Sequence, residues 1–213
     1  MQNPNLPHPE TKQKGYTIIE LGISLAIIAV LIVAGLAGVT TVLNNSKSNG
    51  QIEESGIVLA KLQSLLTSTS ASGINTTGAV GAGFFPASRV SGTTTAATVT
   101  SKFGGSEFVA SNSAALVGTT EGVVAAANVG AIYTIMSVPK AVCANIATSL
   151  ATLANSAWIH TTAKDEGTAG AAAGFTTASQ IKAPGGQVQG AKVGTQCNSS
   201  TTDTVNLAFF LRP

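Results

Sequence analysis

Lys14-Gly15-Tyr16-Thr17-Ile18-Ile19-Glu20-Leu21 opens a run without any further charge that continues to Ser46. The apolar core of that run, Leu21 to Leu43, is 23 residues long, or roughly 34 Å of α-helix at about 1.5 Å per residue. The hydrocarbon layer of a bilayer needs about 20 such residues, so the segment is long enough to span it. It contains no proline. Lys12 and Lys14 precede it, and basic flanks stay on the cytoplasmic side, which sends the rest of the chain outward. Residues 1–15 are polar and carry Pro4, Pro7 and Pro9, a composition that does not hold a helix.

An ordinary secretory signal has an apolar stretch of about 7–15 residues and a small-x-small cleavage site. Here the stretch is longer, the leader is polar and proline-rich, and a carboxylate sits at the head of the apolar run. A plain signal anchor fits the length and leaves Glu20 unexplained. A carboxylate deep in lipid costs on the order of 2.5–3.5 kcal/mol on insertion scales and calls for a partner. Glu20 near the interface would reach water at little cost. Position alone leaves both readings of Glu20 open.

Composition narrows the function classes. Of 213 residues only 9% are charged, with eleven Lys/Arg against nine Asp/Glu and a net charge of +2, where about 25% charged is usual. Such a chain has no basic surface for nucleic acid and no charge-driven disorder. Two histidines and two cysteines leave little material for a metal site. Gly, Ala, Ser, Thr and Asn fill the remainder, which suits an exported, uncharged surface and argues against a cytosolic enzyme.

Lys14-Gly15 followed by Tyr16-Thr17-Ile18-Ile19-Glu20-Leu21 resembles the processing site of type IV prepilins: a charged leader ending in Gly, a hydrophobic or aromatic first mature residue, and Glu fifth. The resemblance implies a cut between Gly15 and Tyr16 by a membrane-embedded prepilin peptidase, with Gly15 required because a side chain would obstruct backbone approach. It implies N-methylation of the freed Tyr16 amine. Glu20 would then meet the Tyr16 amine of a neighbouring copy, pairing two charges that are each unfavourable in an apolar fibre core.

Downstream, Ile52, Val58, Leu59, Leu62, Leu65 and Leu66 recur at helical spacing among Glu53, Glu54, Lys61 and Gln63, the pattern of an amphipathic half lying on a head. Gly50 and Gly56 weaken the run, so a break at Asn44-Asn45-Ser46 into two helices is the alternative. From Thr67 to about Ala131 the composition supports only loops and short strands. Gly81-Ala82-Gly83-Phe84-Phe85-Pro86 lacks the third glycine of a nucleotide fingerprint and reads as a turn.

Ala131 to Val138 alternates as a strand, and Pro139 opens a helix in its first turn. Cys143, Ile146, Leu150, Leu153 and Ala157 form its inward stripe, with Trp158 near its end. Val205 to Arg212 closes the chain as a strand that is apolar on one face and partly so on the other, as in the interior of a sheet. His160 with Asp165-Glu166 in a Gly/Ala-rich stretch reads as a surface loop rather than an acid–base pair, since nothing near could hold a nucleophile.

Cys143 and Cys197 are the two cysteines, and in an exported chain such a pair is ordinarily joined. The spacing is not C-x-x-C, which disfavours a redox pair. Class IVb pilins are similar in having a carboxy-terminal disulfide loop whose first Cys lies near the start of a helix. Closing this loop would remove roughly 4 kcal/mol of unfolded-state entropy in the chain-entropy model.

The expected organisation is α+β, the type IV pilin fold: residues 1–15 a leader peptide, 16–46 the transmembrane and fibre-core half of a long helix, and 47–213 a head on an antiparallel sheet. The resemblance implies a homo-oligomeric helical filament and no catalytic, cofactor or metal residues. It places the chain in the bacterial inner membrane and then in an extracellular pilus, with the peptidase and the pilus assembly machinery as partners. Two other functions remain: a minor pilin or type II secretion pseudopilin, which shares the same processing site, and a membrane-anchored secreted enzyme or binding domain, which predicts no cut after Gly15 and tolerance of change at Glu20.

Overall fold

A computed structural model of the chain describes residues 15–93, 96–111, 116–117, 123–125, 129–161 and 178–213. Helix α1 (Ile18–Ser68, 51 residues) runs through Asn44-Asn45-Ser46 without interruption, so the expected continuation is one helix. Asp165-Glu166 lies outside the described residues. The chain divides into two compact units, one ending at Val42 and one beginning at Leu43.

In the first unit every large apolar side chain from Ile18 to Val42 is at least 50% exposed. Fully burying one such side chain is favourable by about 1.5–3 kcal/mol, so this stretch is not at rest in water. Among the described residues α1 is the one helix long and apolar enough to cross a membrane.

The second unit is built on a seven-stranded sheet in the order β1-β2-β3-β6-β9-β7-β8, antiparallel at every pairing: β1 (Val90–Thr93), β2 (Ala96–Thr100), β3 (Ser106–Ser111), β6 (Ala131–Pro139), β7 (Ser156–His160), β8 (Gln180–Lys182) and β9 (Thr204–Leu211). A separate two-stranded ladder joins β4 (Leu116–Val117) to β5 (Val123–Ala125). The head portion of α1 buries Val58, Leu59, Leu62 and Leu66 in one core with Tyr133, Ile135, Leu207 and Phe209. Helix α3 (Lys140–Ala151) adds Val142, Cys143, Ile146 and Leu150 to the same core.

Registers of Tyr133 with Phe209, Phe209 with Ala157 and Ile135 with Leu207 put these residues on the core face. Ile132, Phe210 and Trp158 alternate to the other face and are buried as well. This explains why β9, expected inside the sheet, reads apolar on both sides: it lies between β6 and β7.

Three local readings are corrected. Pro139 stands one residue before α3, with extended ψ of 138°, and ends β6 rather than opening the helix. Helix α3 stops at Ala151, so Leu153 and Ala157 are not on its inward stripe and Trp158 is not near its end. Lys182 Nζ donates to the carbonyls of Ala151 (2.8 Å) and Ala154 (2.7 Å), a cation where the helix dipole ends negative. Asn155 N then donates to Phe210 O at 2.9 Å, which delivers Ala157 and Trp158 into strand β7 while Leu153 is left exposed. His160 is the third correction: it is the last residue of β7 and is buried, not part of a surface loop.

Between Thr67 and Ala131 the described residues hold more order than composition suggests. Asn75 caps the short helix α2 (Thr76–Gly81), its Oδ1 accepting from Gly78 N at 2.7 Å. Gly83 has φ of +70°, Phe85 is buried and Pro86 leads into the turn Ala87–Arg89, so Gly81–Pro86 includes the expected turn. Gly105 has a packing reason to be glycine, because a β-carbon there would strike the carbonyl of Met136 on β6.

Candidate functional site

Gly15, Tyr16 and Glu20 lie at the start of the first unit. Gly15 is exposed with nothing within 4 Å of where a β-carbon would stand, and Tyr16 is 83% exposed. Residues 15–17 precede the helix without regular secondary structure.

Thr17 Oγ1 accepts a hydrogen bond from Glu20 N at 3.3 Å, and Leu21 N donates to Thr17 O at 3.1 Å. Thr17 thus caps α1, and Glu20 stands in its first turn, where unpaired N–H groups make the helix end positive. The Thr-x-x-Glu spacing visible in the sequence carries this signal. Glu20 therefore has a local stabilising role worth about 0.3–1 kcal/mol at an exposed end, far less than the cost of a lone carboxylate in lipid. The cap accounts for a Glu at this position in water and not for one inside an apolar assembly.

Cys143 of α3 and Cys197 of α4 (Gly190–Asn198) are joined, with Cα atoms 5.8 Å apart, inside the usual range for a bridge. Both are buried, and the bridge ties α4 to the helix that covers the sheet.

A second constellation lies under the head portion of α1. Gln51 and Ser55 are fully buried there. Gln51 Nε2 donates to Ser55 Oγ (2.8 Å) and Glu107 Oε1 (2.9 Å), while its Oε1 accepts from Lys102 N (2.9 Å). Tyr133 OH donates to Glu107 Oε2 at 2.6 Å and shares a hydrogen bond with Ser55 Oγ at 2.9 Å. Arg89 is ion-paired with both Glu54 and Glu107, and Lys102 Nζ lies 2.6 Å from Glu54 Oε1.

Partial burial pushes the Glu54 carboxyl up, but hydrogen bonds and charge from Lys102 and Arg89 outweigh it, and its pKa falls below the ordinary 4.5. Complete burial drives the Tyr133 phenol well above its ordinary range, with the Ser55 hydrogen bond opposing. The arrangement is buried beneath α1 and fastens the helix to the sheet. Sequence reading missed it because it followed only apolar side chains, although Ser48, Gln51 and Ser55 extend the same stripe as Leu59, Leu62 and Leu66.

Among the described residues no cluster of three or more His, Cys, Asp or Glu is arranged to hold a metal ion. One open groove among the described residues, of about 340 Å³, is lined by Leu65, Ile74, Ala79, Phe84 and small polar residues, without a charged group to orient a ligand.

No protein-family profile matches the sequence, and no curated protein does so either. Among solved structures, the crystal structure of the type IV b pilin from Salmonella typhi is similar with a TM-score of 0.53 and 18% identity, over 78% of this chain and 99% of that one. The architecture is the type IV pilin fold.

Proposed function

We propose that the chain is a type IV prepilin of the class IVb kind and the major structural subunit of an extracellular filament. Residues 1–15 are then the leader, 16–46 the half of α1 that serves first the membrane and then the fibre core, and 47–213 the displayed head with its Cys143–Cys197 loop. The peptidase cuts between Gly15 and Tyr16 on the cytoplasmic face and methylates the new amine. The assembly machinery then draws the subunit from the bacterial inner membrane.

The single observation that carries this reading is the row of exposed large apolar side chains from Ile18 to Val42, headed by one carboxylate, on a chain whose head has the type IV pilin fold. In lipid that surface is satisfied; outside lipid it is satisfied only by copies of itself. Before the cut, Glu20 has no amine four residues ahead of it. After the cut, the Tyr16 amine of a neighbour supplies one, so processing precedes assembly for an electrostatic reason. The disulfide loop and the size of the head support a pilin over a secretion pseudopilin. The filament serves adhesion, aggregation or DNA transfer.

Gly15→Val tests the cut. It is expected to leave full-length precursor in the membrane fraction and no filaments in the sheared surface fraction, both read by immunoblot. Normal filaments from that variant would contradict the proposed junction.

A further inference from the structure

The face that α1 turns toward the sheet changes character along its length. Ser48, Gln51, Ser55, Leu59, Leu62 and Leu66 recur every three or four residues and are all buried. From Val58 onward this stripe is apolar; before it, the buried side chains are polar and are held by hydrogen bonds and ion pairs. Ser48 Oγ accepts from Asn145 Nδ2 of α3 at 3.2 Å, and Gln51 and Ser55 join the cluster of Glu54, Arg89, Lys102, Glu107 and Tyr133. In a chain with so few charges, four of them meet under these turns.

We propose that the turns Ser48–Ser55 form an acid-released latch, which lets go of the sheet when Glu54 and Glu107 take up protons while Val58–Leu66 stays docked. The groups facing the two carboxylates are Arg89 from the turn before β1, Lys102 from the β2–β3 connection, Tyr133 from β6 and Gln51 from α1 itself. A proton on one carboxylate leaves the cluster of two cations and two carboxylates with one positive charge in excess, and protons on both leave Arg89, whose side chain is 11% exposed, as an uncompensated charge. Hydration of that charge requires water to enter beneath Gln51 and Ser55, which means separating these turns from β3 and β6. The apolar contacts of Leu59, Leu62 and Leu66 do not titrate, nor does the disulfide. Opening is therefore local rather than global. The latch belongs to the head and stands whether or not the filament reading does.

The backbone N–H of Lys102, donated to Gln51 Oε1 at 2.9 Å, reports directly on closure. Hydrogen exchange of the full-length protein in detergent, corrected for intrinsic rates, is measured between about pH 7 and about pH 3. The Lys102 amide is expected to lose protection by about tenfold or more as pH falls below the ordinary Glu value, while the amides of Val58–Leu66, β6 and β9 change by less than about twofold. Loss of protection everywhere together, or a Lys102 amide that stays protected until the head unfolds, would overturn the proposal. Glu54→Gln, at a partly exposed site that tolerates the change, is expected to raise Lys102 exchange at neutral pH and to flatten its pH dependence. Exposed Glu53→Gln is expected to leave the profile unchanged. An unaltered profile in Glu54→Gln, or an equal effect in Glu53→Gln, would also overturn it.

Discussion

Glu20→Ala is expected to leave the cut after Gly15 intact and to lower the yield of sheared surface filaments at least about tenfold, since a lone buried charge costs more than the ~1.4 kcal/mol that a factor of ten represents. In the proposed assembly each subunit brings one new amine and one carboxylate into an otherwise apolar core. Removing the carboxylate strands the amine. The loss of the helix-end interaction at Thr17–Glu20 is too small to explain such an effect, at about 0.3–1 kcal/mol. Glu20→Gln separates the two roles further: it keeps the side chain's size and removes its charge, so it is expected to assemble nearly as poorly as Ala. Piliation equal to the unaltered chain in both variants would assign Glu20 to the helix cap alone.

The second large effect falls on the head. Arg89→Met is expected to destabilise it by about 3–5 kcal/mol, because Glu107, 1% exposed, and the more exposed Glu54 lose their shared cation together. Denaturant unfolding of the detergent-solubilised chain measures the change. The double variant Arg89→Met with Glu107→Met removes both buried charges and is expected to recover a large part of the loss. A fully additive double variant would show that the pair is not energetically coupled. The same cluster sets the sign of the acid response. Glu54 has a folded pKa below 4.5, so its contribution is fully present above that value and is lost as pH falls through the lower, folded value.

How much of this was legible beforehand follows from where periodic apolar signals exist. The Lys14–Leu21 stretch and the apolar run after it declared the long helix, β6 declared itself through alternation over Ala131–Val138, and β9 through a run apolar on one face and partly so on the other. The type IV pilin fold expected from the prepilin-like start is the one observed. The end of α3 was not legible, because Leu153, Ala157 and Trp158 happen to extend the helical period, and the stop is imposed from elsewhere by Lys182 on β8 and by the Asn155–Phe210 hydrogen bond. Strand β2 escaped notice since only Val99 of its five residues is buried, which leaves Thr and Ala to form a strand without alternation. The fastening under α1 was the largest omission. Gln51, Ser55, Arg89, Lys102, Glu107 and Tyr133 are scattered over about 80 residues and meet only through the sheet register.

The claim on which the account turns is that an apolar helix is released from its leader so that a new amine can pair with Glu20. Mass spectrometry of the amino-terminal peptide from cell-surface material tests it most directly. A peptide beginning at Tyr16 with one methyl group on its α-amine is the predicted result; a chain that retains residues 1–15, or one that begins anywhere inside the apolar run, would contradict it.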